Sequence, residues 1–217
     1  PIVLPVAHDF SAMFIPSQCA VLTMELQNGV VGESATIGDL AQEVNRVGVI
    51  SNTARVLASA RKAKATVVHC LAEFNADREL MRANAPLLRM IARSDPHLIA
   101  GSSEVALVAE LGPEPTDLIS SRQHGLTPFP GTDLDQMLSA RSIKTIVATG
   151  VSVNIGITGL AMVAVDLGYQ VVLVTDAVAG VPHKYSESVI ENTLKPLCTC
   201  LTTEEVVGYF EGQTRDA

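Results

Sequence analysis

Three stretches of the chain carry residue types that could do chemistry, and each follows a short apolar run. Glu25 comes after Cys19 to Met24 and is followed by Gln27 and Asn28, while Arg122 opens a loop that holds His124 and Phe129. The third stretch, Val151 to Gly156, includes Ser152 and Asn154 and joins an apolar run to an apolar helix. Desolvation pushes a carboxylate at the end of a buried strand toward its neutral form, and a nearby arginine pushes it toward its charged form, so what binds can set its proton. Arginine also offers a planar fork that grips a carboxylate. Backbone amides at the head of a helix can face an anion. The third stretch lacks a nucleophile: at the first turn of its helix, where one is expected, stands Gly156.

These residues need a scaffold that brings them to one edge. Short, nearly continuous apolar runs predict strands at Cys19 to Met24, Ala65 to Leu71, Asp117 to Ser121, Lys144 to Thr149, Gln170 to Thr175 and Leu197 to Leu201. Apolar residues at steps of three and four from Leu40 to Leu57 predict one amphipathic helix over Ile37 to Lys64. Further helices are expected from Asp133 to Ala140 behind a Thr132 cap, from Asn154 to Leu167 with Gly168 as a left-handed terminator, from Glu187 to Leu194, and from Thr203 to Phe210. Glu73 to Arg93, which contains Arg78, reads as a loop with one or two short helical turns, placed to cover a site. Strands alternating with helices predict a three-layer α/β/α sandwich around a doubly wound, six-stranded, mainly parallel sheet. In such sheets ligands bind at the carboxyl ends of the strands, where Glu25, Arg122 and the Val151 turn all fall.

The 217 residues suit one domain, 1–217, with residues 1–18 as an amino-terminal arm. Hydrophobic residues make up 47% of the chain and aromatic ones only 4%, so the core is aliphatic. A net charge of −8 with no basic run argues against nucleic acid or an anionic membrane surface as partner. No apolar run is long enough to span a bilayer and the start has no signal-peptide pattern, so a cytoplasmic location is expected. Glycine-rich phosphate loops and the Gly-x-Ser-x-Gly elbow are absent, and no cofactor is expected. Cys19, Cys70, Cys198 and Cys200 sit in or beside apolar runs and read as reduced core thiols. His69, inside a strand, reads as a hydrogen-bonded core histidine, whereas His124 borders the site.

Four segments resemble the isochorismatase-like hydrolases: Ala20 to Asn28, Phe129 to Leu134, Thr149 to Asn154, and Asp166 to Val172. The resemblance runs from about Cys19 to Leu201. It implies that the cysteine-hydrolase branch would place an aspartate at Glu25, a lysine at Arg122, or at Gln123 on a one-residue gap, and a cysteine at Gly156. All three differ here, and loss of a nucleophile in a comparable hydrolase costs roughly a millionfold in turnover. The isochorismatase branch is similar to this chain in carrying glycine at that position, which implies a carboxylic acid that protonates a vinyl ether. The resemblance therefore implies Glu25 as general acid and Arg122 as the grip on a small, anionic substrate. Gln27, Asn28, Arg78, His124, Phe129, Val151, Ser152 and Asn154 are the expected substrate-binding residues, with no metal site. It also implies a homo-oligomer. The alternative is a pseudoenzyme that keeps the pocket for ligand binding or as an oligomeric partner.

Overall fold

The computed structural model describes residues 9–93 and 97–212. Its six strands are β1 (Cys19–Met24), β2 (Thr66–Ala72), β3 (Leu118–Arg122), β4 (Thr145–Val151), β5 (Gln170–Ala179) and β6 (Thr199–Leu201), and they form one sheet in the order β3-β2-β1-β4-β5-β6. Every strand pairing is parallel. The chain order reverses between β1 and β4, so that crevice is the one where a sheet of this type receives ligands.

Among the described residues the α-helices are α1 (Asn28–Val31), α2 (Gly38–Val47), α3 (Val49–Ala63), α4 (Pro86–Arg93), α5 (Leu134–Ser139), α6 (Thr158–Asp166), α7 (His183–Val189) and α8 (Thr203–Phe210). Alternation along β1 explains the layers. Cys19 and Val21 pack with Leu40, Val56 and Phe210 of α2, α3 and α8, whereas Ala20, Leu22 and Met24 face Leu134, Leu160 and Val189 of α5, α6 and α7. Both faces of the central strand are therefore covered, and its apolar run is continuous for that reason.

Sequence and structure part at several places. The helix expected over Ile37 to Lys64 is two helices, because Gly48 takes a left-handed φ of +79° and its N–H closes α2 on the Val44 and Asn45 carbonyls. Periodicity survives such a break, which is why the apolar pattern alone reads straight through it. β5 runs four residues past its expected end, and its register with β4 shifts between Ala148 and Gly150. Asn154 lies in a π turn (Val153–Ile157) ahead of α6, and a second π turn (Ile190–Leu194) follows α7, so neither expected helix is regular α throughout. Gly168 does end its helix in the left-handed region, with φ +93°. Thr202 caps α8 through a reciprocal box with Glu205. Of the amino-terminal arm, residues 1–8 lie outside the described residues. Beyond them Phe14 is buried and stacks on Tyr209 with ring centroids 4.7 Å apart.

Candidate functional site

The carboxyl edge of the sheet holds Glu25 and Arg122 together. β1 ends at Met24, and Glu25 then turns into the left-handed region at φ +53° while its N–H donates to the Cys70 carbonyl at 2.9 Å. This turn lifts the carboxylate across the end of β2 toward β3. There Arg122, the last residue of β3 and paired in register with Ala72, donates from Nη2 to Glu25 Oε1. The guanidinium side chain is 8% exposed and the carboxylate side chain 17%. Arg122 Nε donates to the Gly125 carbonyl at 3.2 Å, and Nη1 is buried with no protein partner. A buried guanidinium N–H without an acceptor is costly, and a ligand oxygen would satisfy it.

The turn after β4 forms the other wall. Gly150, at φ +108°, lies so close to β1 that a Cβ there would stand 2.2 Å from the Met24 carbonyl oxygen. The Val151–Ser152 peptide is cis. The Ser152 carbonyl accepts from the N–H groups of Ile155 (3.2 Å) and Ile157 (3.0 Å), which closes the π turn around Gly156. A Cβ on Gly156 would meet the Val151 carbonyl oxygen at 2.9 Å and Met24 Cε at 3.2 Å. Met24 therefore fills the space in which a longer side chain at position 156 would start.

Beneath the ion pair lies Cys70, whose thiol is pushed up to about 12 by burial, with Arg122 pulling it down and Glu25 adding to the rise. A thiol so far from ionisation is a poor nucleophile. Burial likewise raises the Cys19 and Cys198 thiols to about 12. All four cysteines are free.

A model of the isochorismatase domain matches residues 19–205, most of the chain. The chain belongs to the isochorismatase family. Within that family it is 29% identical over 185 residues to a ureidoacrylate amidohydrolase, RutB, of Cronobacter turicensis, an alignment that spans 79% of this chain and 78% of that protein. It is 37% identical over 99 residues to YwoC of Bacillus subtilis, an uncharacterized isochorismatase family protein, and the match spans 45% of this chain and about half (51%) of that protein. An isochorismatase family protein from Desulfovibrio vulgaris superposes with a TM-score of 0.75 at 25% identity, covering 87% of this chain and 96% of that one. The N-carbamoylsarcosine amidase of Thermoplasma acidophilum shares the fold, with a TM-score of 0.68 at 21% identity over 86% of this chain and 97% of that one.

The remaining expected ligand residues of this isochorismatase-family chain are placed unevenly. Gln27 is fully buried and spends its amide on the backbone, donating to the carbonyls of Ala72 (2.9 Å) and Val105 (3.0 Å) and accepting from the Ala72 N–H (2.8 Å). It braces the end of β2 against the 97–108 segment and has no polar group left for a substrate. Phe129 and Val151 are core residues: Phe129 stacks on Tyr169, and Val151 is fully buried. Their apolar character reads equally as pocket lining or core, and packing under the loop decided for core. Asn28 donates to the Ser103 carbonyl at 3.2 Å and lines a groove of about 810 Å³ with Val31, Val44, Ser51 and Glu110. Neither Glu25 nor Arg122 borders that groove. Arg78 donates from Nη1 to the Ile91 carbonyl in α4, and His124 Nδ1 accepts from the Arg82 N–H at 3.1 Å. Asn154 lies beside Gly180, its Oδ1 3.0 Å from where a Cβ would sit.

A buried polar chain beside the site escaped the sequence reading. Thr23 Oγ1 lies 2.8 Å from His69 Nδ1, and His69 Nε2 lies 3.1 Å from Asp117 Oδ2, which also accepts from Arg61 at 2.6 Å. The ionised Asp117 carboxylate accepts from the Nε2–H, so Nδ1 accepts from the threonine hydroxyl. Hydroxyl, imidazole and carboxylate in this order resemble a nucleophile relay, but Thr23 is fully buried in the central strand and closed to substrate. Thr23 and His69 are register partners on adjacent strands, a pairing set by the sheet rather than by their separation along the chain. His69 is the satisfied core histidine that its position in the strand implied.

Proposed function

We propose that this chain is a hydrolase of a small, anionic molecule that works without a covalent thioacyl intermediate, with Glu25 as general acid and base. The observation that carries the reading is the Glu25–Arg122 pair, mostly buried at the carboxyl edge beside a turn whose Gly156 offers no nucleophile. The orphaned Arg122 Nη1 supports an anionic ligand. When a substrate carboxylate takes the guanidinium fork, Glu25 faces a second negative charge, which favours its proton-bearing form. It then protonates the terminal carbon of a vinyl ether, water adds to the resulting oxocarbenium carbon, and the hemiketal separates into a carbonyl compound and an alcohol. The water's proton returns to Glu25, so acid and base roles fall on one group. The amidohydrolase activity named for RutB transfers poorly, because Gly156 and four buried or half-buried thiols leave no thiolate at the turn.

A second reading, a ligand-binding protein without turnover, is favoured by one observation: Glu25 and Arg122 already neutralise each other while Met24 fills the space beside Gly156. Glu25→Gln separates the two. Under the first reading it abolishes turnover of an isochorismate-like vinyl ether and leaves binding, read by thermal shift, nearly intact. Unchanged turnover removes Glu25 from the mechanism, and a wild type that binds the vinyl ether without turnover favours the second reading.

A further inference from the structure

Of the three nitrogens of the Arg122 guanidinium, Nε donates to the Gly125 carbonyl and Nη2 to Glu25, which leaves Nη1 without an acceptor. A carboxylate brought to Nη1 has a second oxygen to satisfy. Ser120 is placed to satisfy it. The residue is 2% exposed and its hydroxyl has no hydrogen-bond partner. It precedes Arg122 by two positions in β3, so both side chains leave the same face of the sheet, whereas the neighbouring Ile119 is 54% exposed on the other. The register sets Ser120 in one row with Cys70, Met24 and Gly150. That row is the floor of the site: the Cys70 carbonyl holds the Glu25 N–H, and Met24 closes on Gly156. A buried hydroxyl without a partner destabilises the free protein, and an apolar residue would not. Such a group calls for a reason, and a ligand that completes its bonding is one. Thr53 and Ser186 are also buried with unpartnered hydroxyls, but they lie on helices α3 and α7 and not on the strand face that carries Arg122.

We propose that Ser120 is a substrate-binding residue, its hydroxyl donating to one oxygen of a carboxylate whose other oxygen takes Arg122 Nη1. The inference rests on the anionic-substrate reading above and adds an orientation to it. The carboxylate is the innermost part of the substrate, set against the sheet, and the reacting bond lies farther out beside Glu25. The hydroxyl and the guanidinium then act as one recognition unit. A site whose buried donors are completed only by an anion discriminates strongly against a neutral analogue, because the analogue leaves those donors unpaired.

Calorimetric titration of the full chain with propionate, and with propionamide as its neutral counterpart, tests the inference alongside thermal unfolding of the free protein. Wild type is expected to bind propionate in preference to propionamide. Ser120→Ala is expected to raise the melting temperature of the free protein, since an unpaired hydroxyl is removed, and yet to weaken propionate about tenfold. Ser120→Cys keeps the volume but offers only a weak donor, and is expected to weaken propionate similarly. Thr53→Val relieves an orphaned hydroxyl elsewhere in the core and is expected to leave propionate affinity unchanged. Unchanged affinity in Ser120→Ala, an equal loss in Thr53→Val, or a wild type that does not prefer propionate overturns the inference. Full propionate affinity in Arg122→Met is a different failure: it removes the guanidinium as the grip, and the anionic-substrate reading with it.

Discussion

Replacing Arg122 by methionine isolates what the ion pair contributes. The substitution keeps most of the stem's volume and removes the charge, leaving Glu25 with 17% exposure and no cation, and leaving the Gly125 carbonyl without its donor. Breaking a fully buried pair from one side costs about 3 to 5 kcal/mol. Glu25 keeps some access to water, so about 3 kcal/mol is the appropriate figure here. Glu25→Gln is milder, about 1 to 2 kcal/mol, because the amide oxygen still accepts from Arg122. The double variant buries neither charge, and its loss should fall short of the sum of the two by at least 1 kcal/mol. In urea, where a chain of this size loses roughly 2 to 3 kcal/mol per molar, Arg122→Met lowers the midpoint by about 1 M. Equilibrium unfolding followed by circular dichroism supplies all four corners of the cycle. Strict additivity, or an Arg122→Met midpoint equal to wild type, would refute a desolvated Glu25–Arg122 contact.

Acid sensitivity should trace in part to His69. Burial lowers its pKa, with Asp117 opposing and Arg61 adding, so the unfolded chain binds more protons below about pH 6.5. The stability this group contributes is therefore complete above that pH and is lost as pH falls from there through the lower folded-state pKa, and urea midpoints of His69→Gln should be flatter than wild type between pH 7.5 and about 5.5. Gly150→Ala should cost more than 4 kcal/mol or prevent folding, since its Cβ would stand 2.2 Å from the Met24 carbonyl oxygen at φ +108°; a melting temperature near wild type would contradict that close approach. Alkylation of the native protein near pH 8, followed by peptide mass spectrometry, should label Cys200 before Cys198, and Cys19 and Cys70 last, because burial raises all four thiols and only the first two are half-exposed.

Strands were the most legible part of the chain. β1 lies where its apolar run places it, and alternate residues feed the two cores, because a strand covered on both faces has no choice but to be apolar at every position. The pairing of Glu25 with Arg122 was legible only as a convergence of strand ends. That they touch depends on the left-handed turn at Glu25, and a glutamate is not a residue that announces such a turn. Gln27 shows the opposite failure: polar residues after a strand read as ligands, whereas a glutamine amide serves equally well to pin two backbone segments. The division at Gly48 and both π turns were illegible for a shared reason. One glycine or one extra residue per turn changes the path of a helix without disturbing the apolar spacing that announces it.

The π turn at Val153–Ile157 acts as a phase setting for everything after it. Each residue of an α-helix advances the chain by about 100°, so the one extra residue accommodated in that turn fixes which side of α6 meets the sheet. Deleting a single residue there would leave an acceptable regular helix, yet it would carry Leu160 and Ala164 away from the core and turn Gly156 from Met24. The wall of the site and the outward face of the helix, with Met162 and Val165 exposed, are thus set by one count of residues. Neither can drift in sequence length without moving the other.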